Sequence, residues 1–256
     1  MWKIGRPGEM AAMLSISASA WIAIMLGHAN GNDFGVCTAS TNLLRRSPLA
    51  DVGGSSVTEL TMSTVLMLVA MMSPLLTVPL THVRERSFAS RGLRASALFV
   101  FGYMGIWLSV AMLMQGVSAL LAQFDEAPVS ILGLALAVIW QISPLKQRAM
   151  NGCHRMPALA AHGRSADRDT FLFGVTHGLW CVGACWALML VALLSKTAQP
   201  VPMLALAFFL IAERFEGSAR TQWALRIPLK LLRAGTHRVR GRPDGLLRAT
   251  HRRRPP

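Results

Sequence analysis

Residues 171–194 read FLFGVTHGLWCVGACWALMLVALL, 24 residues without a Lys, Arg, Asp or Glu. A helix of about 20 mostly apolar residues, with a range of about 17 to 25, crosses the hydrocarbon core of a bilayer. This stretch therefore predicts a transmembrane helix, and its neighbours repeat the pattern. Met10–Gly27, rich in Ser and Ala, is a candidate; so are Val57–Leu80, interrupted by Pro74 and Pro79, and Ala95–Leu121 and Pro128–Leu145. Val201–Ala212 is short, so the last span must borrow flanking residues as far as about 216 to cross. The expected fold is an all-α polytopic membrane bundle of about six transmembrane helices, near 10–27, 57–80, 95–121, 128–145, 171–194 and 201–216. Residues 1–216 then form one helical domain, and 217–256 a basic cytoplasmic tail expected to be disordered.

Composition agrees. Of 256 residues 53% are hydrophobic and 15% charged, against about 25% charged in a soluble domain. A net charge of +14 in a soluble protein would point to nucleic acid. Here the basic residues fall between and after the apolar blocks, so the expected partner is the lipid bilayer and no nucleic acid.

Lys and Arg accumulate on the cytoplasmic side of membrane proteins. With the N-terminus inside, the inner segments carry Lys3, Arg6, Arg84, Arg86, Arg91, Arg94, Lys146, Arg148, Arg155, Arg164, Arg168 and 12 residues from Arg214 onward. Arg45, Arg46 and Lys196 alone fall outside. Both termini are therefore expected in the cytoplasm. A rival reading takes residues 1–30 as a cleaved signal peptide, which leaves five spans and the same asymmetry. The outer loop His28–Ser56 is polar and expected to be poorly ordered. The tail, ending Arg252-Arg253-Arg254, either anchors the topology or binds anionic headgroups at roughly 1 kcal/mol per basic residue. No internal repeat stands out.

Ligating groups inside the spans are few, and each is informative. His177, Cys181, Cys185 and Met189 stand at steps of four, about 40° apart around a helix. Neighbouring members share a face. Imidazole, thiol and thioether are soft ligands that select Cu(I), with Zn and iron–sulfur chemistry as the other thiolate options. Against this, a single buried Cys behaves as a small hydrophobe. Met67, Met71 and Met72 precede Ser73-Pro74, where proline removes a donor and kinks the helix. Met71 or Met72 is a candidate ligand there, although Met is also common gap filler. Cys153 and His154, followed by Met156, fall in the inner loop, a candidate entry or hand-off point where thiols stay reduced. Cys37 stands alone in the outer loop, so no disulfide is expected. Glu213, next to Arg214, reads as an interfacial ion pair.

Ala70-Met-Met-Ser-Pro74, Gln141-Ile-Ser-Pro-Leu-Lys146 and Cys181-Val-Gly-Ala-Cys-Trp-Ala-Leu-Met189 together resemble a bacterial family of predicted metal-binding integral membrane proteins. That family is a domain of unknown function whose members are linked to copper chaperoning. The resemblance covers about Met62 to Arg214, with the motifs in order and spacing. It implies an inner-membrane, multi-pass protein, a Cu(I) cargo, a client copper enzyme as partner, and Cys153, Cys181 and Cys185 as positions carried over. Three departures weaken a thiolate site or alter its surroundings. The family pattern has Cys where this chain has Ala149, adjacent cysteines where it has Ala184-Cys185, and Met-Asn where the last span begins Pro200-Val-Pro-Met203.

Three functions follow as expectations. The first is a membrane protein that chelates or delivers Cu(I) through soft Cys, His and Met ligands. The second is a small metal or solute permease, which needs polar groups at several depths. The third is a structural subunit whose cysteines merely pack. An enzyme is not expected: the chain has no Gly-x-Ser-x-Gly elbow, HExxH or P-loop, no Cys-x-x-Cys-His, and no intramembrane histidine to pair with His177.

Overall fold

The computed structural model describes residues 7–29, 54–121, 123–194, 200–218 and 220–224. The outer loop with Cys37 and most of the basic tail lie outside the described residues.

Every regular element among the described residues is helical. The helices are α1 Pro7–Ala29, α2 Gly54–Met72, α3 Thr77–Arg86, α4 Gly92–Leu121, α5 Glu126–Ile142, α6 Pro144–Cys153, α7 Gly163–Leu194 and α8 Pro200–Phe215. A 3-10 turn, Ser73–Leu76, joins α2 to α3. It stands where Pro74 predicts a kink. Hydroxyls reclaim the carbonyls there, since Ser73 donates to the Val69 carbonyl at 2.7 Å and Thr77 to that of Pro74 at 2.9 Å.

Four spans are long and apolar enough to cross a membrane: Gly8–Ala29, Thr61–Arg86, Ala89–Ser118 and Gly163–Leu194. A fifth forms if α5 and α6, bent by 65°, count as one. The sixth expected span corresponds to α8, whose 16 residues fall just below the usual crossing length.

The bundle is organised around α7. It packs along α4 in the same direction, with Phe99 beside Gly174, Tyr103 beside His177 and Ile106 beside Gly178. Small residues let two backbones approach closely, the main source of helix association in lipid. A Cβ on Gly174 would run into the Phe99 carbonyl, and one on Gly102 would lie 2.7 Å from the Phe171 carbonyl. On its other flank α7 meets α5, where the Trp140 indole donates to the Gly183 carbonyl at 3.0 Å.

The basic end is laced by ion pairs between segments expected on one side. Arg91 and Arg94 hold Asp167 at 2.5 and 2.7 Å, and Arg84 holds Glu9 at 3.1 Å. Arg91 also donates to the carbonyl of Gly163, whose φ of +78° opens α7. The outward face of α5 exposes Ile131, Leu132, Leu134, Val138 and Ile139.

One expectation needs correction. Residues 144–153 are not a solvated loop but the helix α6, turned into the bundle. Ser143 caps it by accepting from the Lys146 backbone N–H at 3.1 Å, and Pro144 takes its first position, the place that suits a residue without an N–H. Ala149 then meets Gly183, and Gly152 lets the Trp180 indole press on its backbone. α6 thus crosses α7 at the level of residues 180–183.

Candidate metal-binding site

The depth of α7 fixes the depth of the thiols. At 1.5 Å per residue, Cys181 lies about 20 Å along the helix from Asp167 in the basic clasp. Cys153 is brought to the same level by the turn of α6. Cys153, Cys181 and Cys185 are all free thiols and all buried. The structure therefore moves Cys153 from the expected cytoplasmic mouth to the interior. Met71 and Met72 on α2, Met189 on α7 and the three cysteines belong to one continuous apolar core.

Cys181 is the best contacted of the thiols. The Tyr103 hydroxyl donates to its sulfur at 3.2 Å, and the Arg214 guanidinium, reaching in from α8, stands 3.4 Å away. Arg214 also lies against Cys153. Cys185 donates its S–H to the Cys181 carbonyl, one turn earlier, at 3.0 Å, so its proton is occupied within the helix. The Trp107 indole lies beside Cys181, but its N–H meets no acceptor in good geometry. Sulfur thus takes up polar donors that an all-hydrocarbon core would leave stranded.

His177, one turn before Cys181, is enclosed by the rings of Phe99, Tyr103 and Phe173 with centroids 5.7–6.1 Å away. Its Nδ1 is buried without a hydrogen bond. Nδ1 is therefore a donor atom still available inside the core. His82 approaches Phe173 edge-on from α3 and bonds the Pro157 carbonyl at 2.9 Å.

A second polar group sits beside the thiols. Lys146 on α6, 1% exposed, pairs with Glu213 on α8, and Gln141 donates to the same carboxylate oxygen at 2.6 Å. Glu213 is thus bound to Lys146 rather than to its neighbour Arg214, as the sequence had suggested. Lys146 likewise leaves the set of solvated inner-loop charges. Sequence reasoning missed Tyr103, Arg214 and this pair. A tyrosine in an aromatic-rich span and a basic residue at a span's end look ordinary until the third dimension is known.

No three His, Cys, Asp or Glu side chains among the described residues are grouped to hold one metal ion. Tetrahedral Zn sites want four ligands. The donors present, the thiols of Cys153, Cys181 and Cys185, are soft and buried, the chemistry that suits a soft ion. The two positions where the resembled family carries further thiols, Ala149 and Ala184, are also buried here, with Ala149 packed on Gly183.

No curated protein and no solved structure matches the chain. A protein-family model described as PpoB2, copper chaperone, does match, over residues 62–235. That match takes in the α2 methionines and all three thiols of the core, and it covers well over half of the sequence: the chain belongs to this copper chaperone family.

Proposed function

We propose that this chain is a multi-pass protein of a bacterial inner membrane that holds Cu(I) between Cys153 and Cys181 and delivers it to a client copper enzyme. It performs no catalysis of its own. The observation that carries the reading is the meeting of two thiols from separate helices, α6 and α7, at one guanidinium inside a methionine-lined core. Family membership supports copper as the cargo. Soft sulfur donors in a dry site favour Cu(I) over harder ions, and a two-sulfur site can release its ion by exchange with an incoming thiolate or thioether. His177 Nδ1 and the sulfurs of Met71, Met72, Cys185 and Met189 are the candidates for that exchange. The four long apolar spans, with the lipid-like outer face of α5, support membrane integration. A permease reading gains little from the buried polar pairs present, Gln115 with Thr64 at 2.7 Å and Lys146 with Glu213, which are short-range contacts between neighbouring helices.

The test is copper content after loading detergent-purified protein with Cu(I) under reducing conditions. Wild type should retain close to one copper per chain, Cys153→Ser/Cys181→Ser should lose it, and Cys185→Ser should keep most of it. Equal, low copper in wild type and the double variant would make the thiols packing groups and the chain a structural subunit.

A further inference from the structure

Arg214 is 7% exposed, and among the described residues it forms no ion pair with a carboxylate. The adjacent Glu213 is taken by Lys146 and Gln141. One guanidinium nitrogen faces Cys181, the other terminal nitrogen has no hydrogen-bond partner, and Cys153 lies against the group. A buried charge without a carboxylate partner is among the costlier features a fold can carry. Its placement against two candidate ligands has a consequence for which ion they accept.

We infer that Arg214 determines specificity, making the Cys153–Cys181 site selective for a monovalent soft cation over a divalent one. The inference rests on the metal-binding reading above. The charges count as follows. As an M(I) ion binds, two S–metal bonds form and each sulfur that still carries a proton gives it up to solvent. The ion keeps its oxidation state. Two thiolates, M(I) and Arg214 then sum to zero, so the loaded site is neutral. An M(II) ion bound the same way leaves a net +1 in a medium where like charges repel strongly. The Lys146–Glu213 pair stays neutral throughout, and Cys185 keeps its proton on the Cys181 carbonyl. Lys146 and Arg214 are not interchangeable here: only Lys146 is paired with a carboxylate.

Silver(I) and cadmium(II) isolate the charge, since both are soft, closed-shell ions without redox chemistry under these conditions. The full chain in detergent, kept reduced, is titrated with each ion against a common chelator, as wild type, Arg214→Gln and Arg214→Lys. The Ag(I)-to-Cd(II) affinity ratio should fall by roughly tenfold or more in Arg214→Gln and stay near wild type in Arg214→Lys. An unchanged ratio in Arg214→Gln, or an equal fall in Arg214→Lys, would overturn the assignment while leaving metal binding intact. Should Arg214→Gln not fold, Arg214→Met keeps the side chain's length without its charge and takes the same role. A wild type that binds neither ion would overturn the metal-binding reading itself.

Discussion

Two stretches of α7, one turn apart, are held by different physics. Around Gly174 and Gly178 the helix meets α4 by shape alone: glycine against carbonyl, with Phe99, Phe173 and His177 filling the space around the contact. From Trp180 to Cys185 it meets α5, α8 and again α4 through hydrogen bonds, Trp140 on Gly183 and Arg214 and Tyr103 on Cys181, with the Lys146–Glu213 pair of α6 and α8 close by. The first contact tolerates no added atom. The second is held by polar partners. A close-packed interface fixes position rigidly, whereas sulfur with polar partners can exchange them, so the metal site we propose lies in the second zone with its rigid support in the first.

The largest effect should come from breaking the charged zone on one side only. Lys146→Met leaves Glu213 buried and unpaired and should cost about 3–5 kcal/mol, read as a lowered unfolding midpoint in detergent. Lys146→Met/Glu213→Leu should recover most of that loss, because an apolar pair replaces an ion pair at little net cost. A double variant as unstable as the single would mean that the pair organises α6 beyond its own charge balance.

The shape-held zone should respond next. Gly174→Ala must displace the Phe99 carbonyl and should destabilise by about 1–3 kcal/mol as overpacking. Gly105→Ala, with open space where its Cβ would go, should be neutral or slightly stabilising, since Ala is the better helix former. Similar losses from both would show that helix flexibility, not close approach, is what glycine supplies on this pair.

Tyr103→Phe should have the smallest effect. It removes the hydroxyl donor to Cys181 and should cost about 1 kcal/mol, while its ring still packs between Phe99 and His177. The same variant should alter copper retention more than stability if the hydroxyl orients the sulfur. Equal copper retention by wild type and Tyr103→Phe would confine that hydrogen bond to packing.

Much of the fold could be read from the sequence, because membrane-length apolar runs and basic ends are one-dimensional signals. Spans near 10–27, 57–80, 95–121 and 171–194 each fall on one of the long apolar stretches. The 128–145 span was legible only to its bend. Ser143-Pro144 is a cap-and-first-turn signature, yet the basic residues after it read as a solvated loop. Whether Lys146 is solvated depends on Glu213, 67 positions away, and no local pattern carries that pairing. The strip His177, Cys181, Cys185 was visible from helical spacing, and its burial was expected. That Cys185 turns its proton to a carbonyl, while Cys181 faces a guanidinium, is set by α8, whose sequence has no sulfur-recognising motif.

The parallel seating of α4 on α7 also bears on biogenesis. The face of α4 that carries Gly102 meets its partner only after α5, α6 and the start of α7 have been synthesised, so until then it lacks the backbone that closes on it. The emergence of α7 from the ribosome therefore sets the moment at which the core closes and Cys153 first has Cys181 near it.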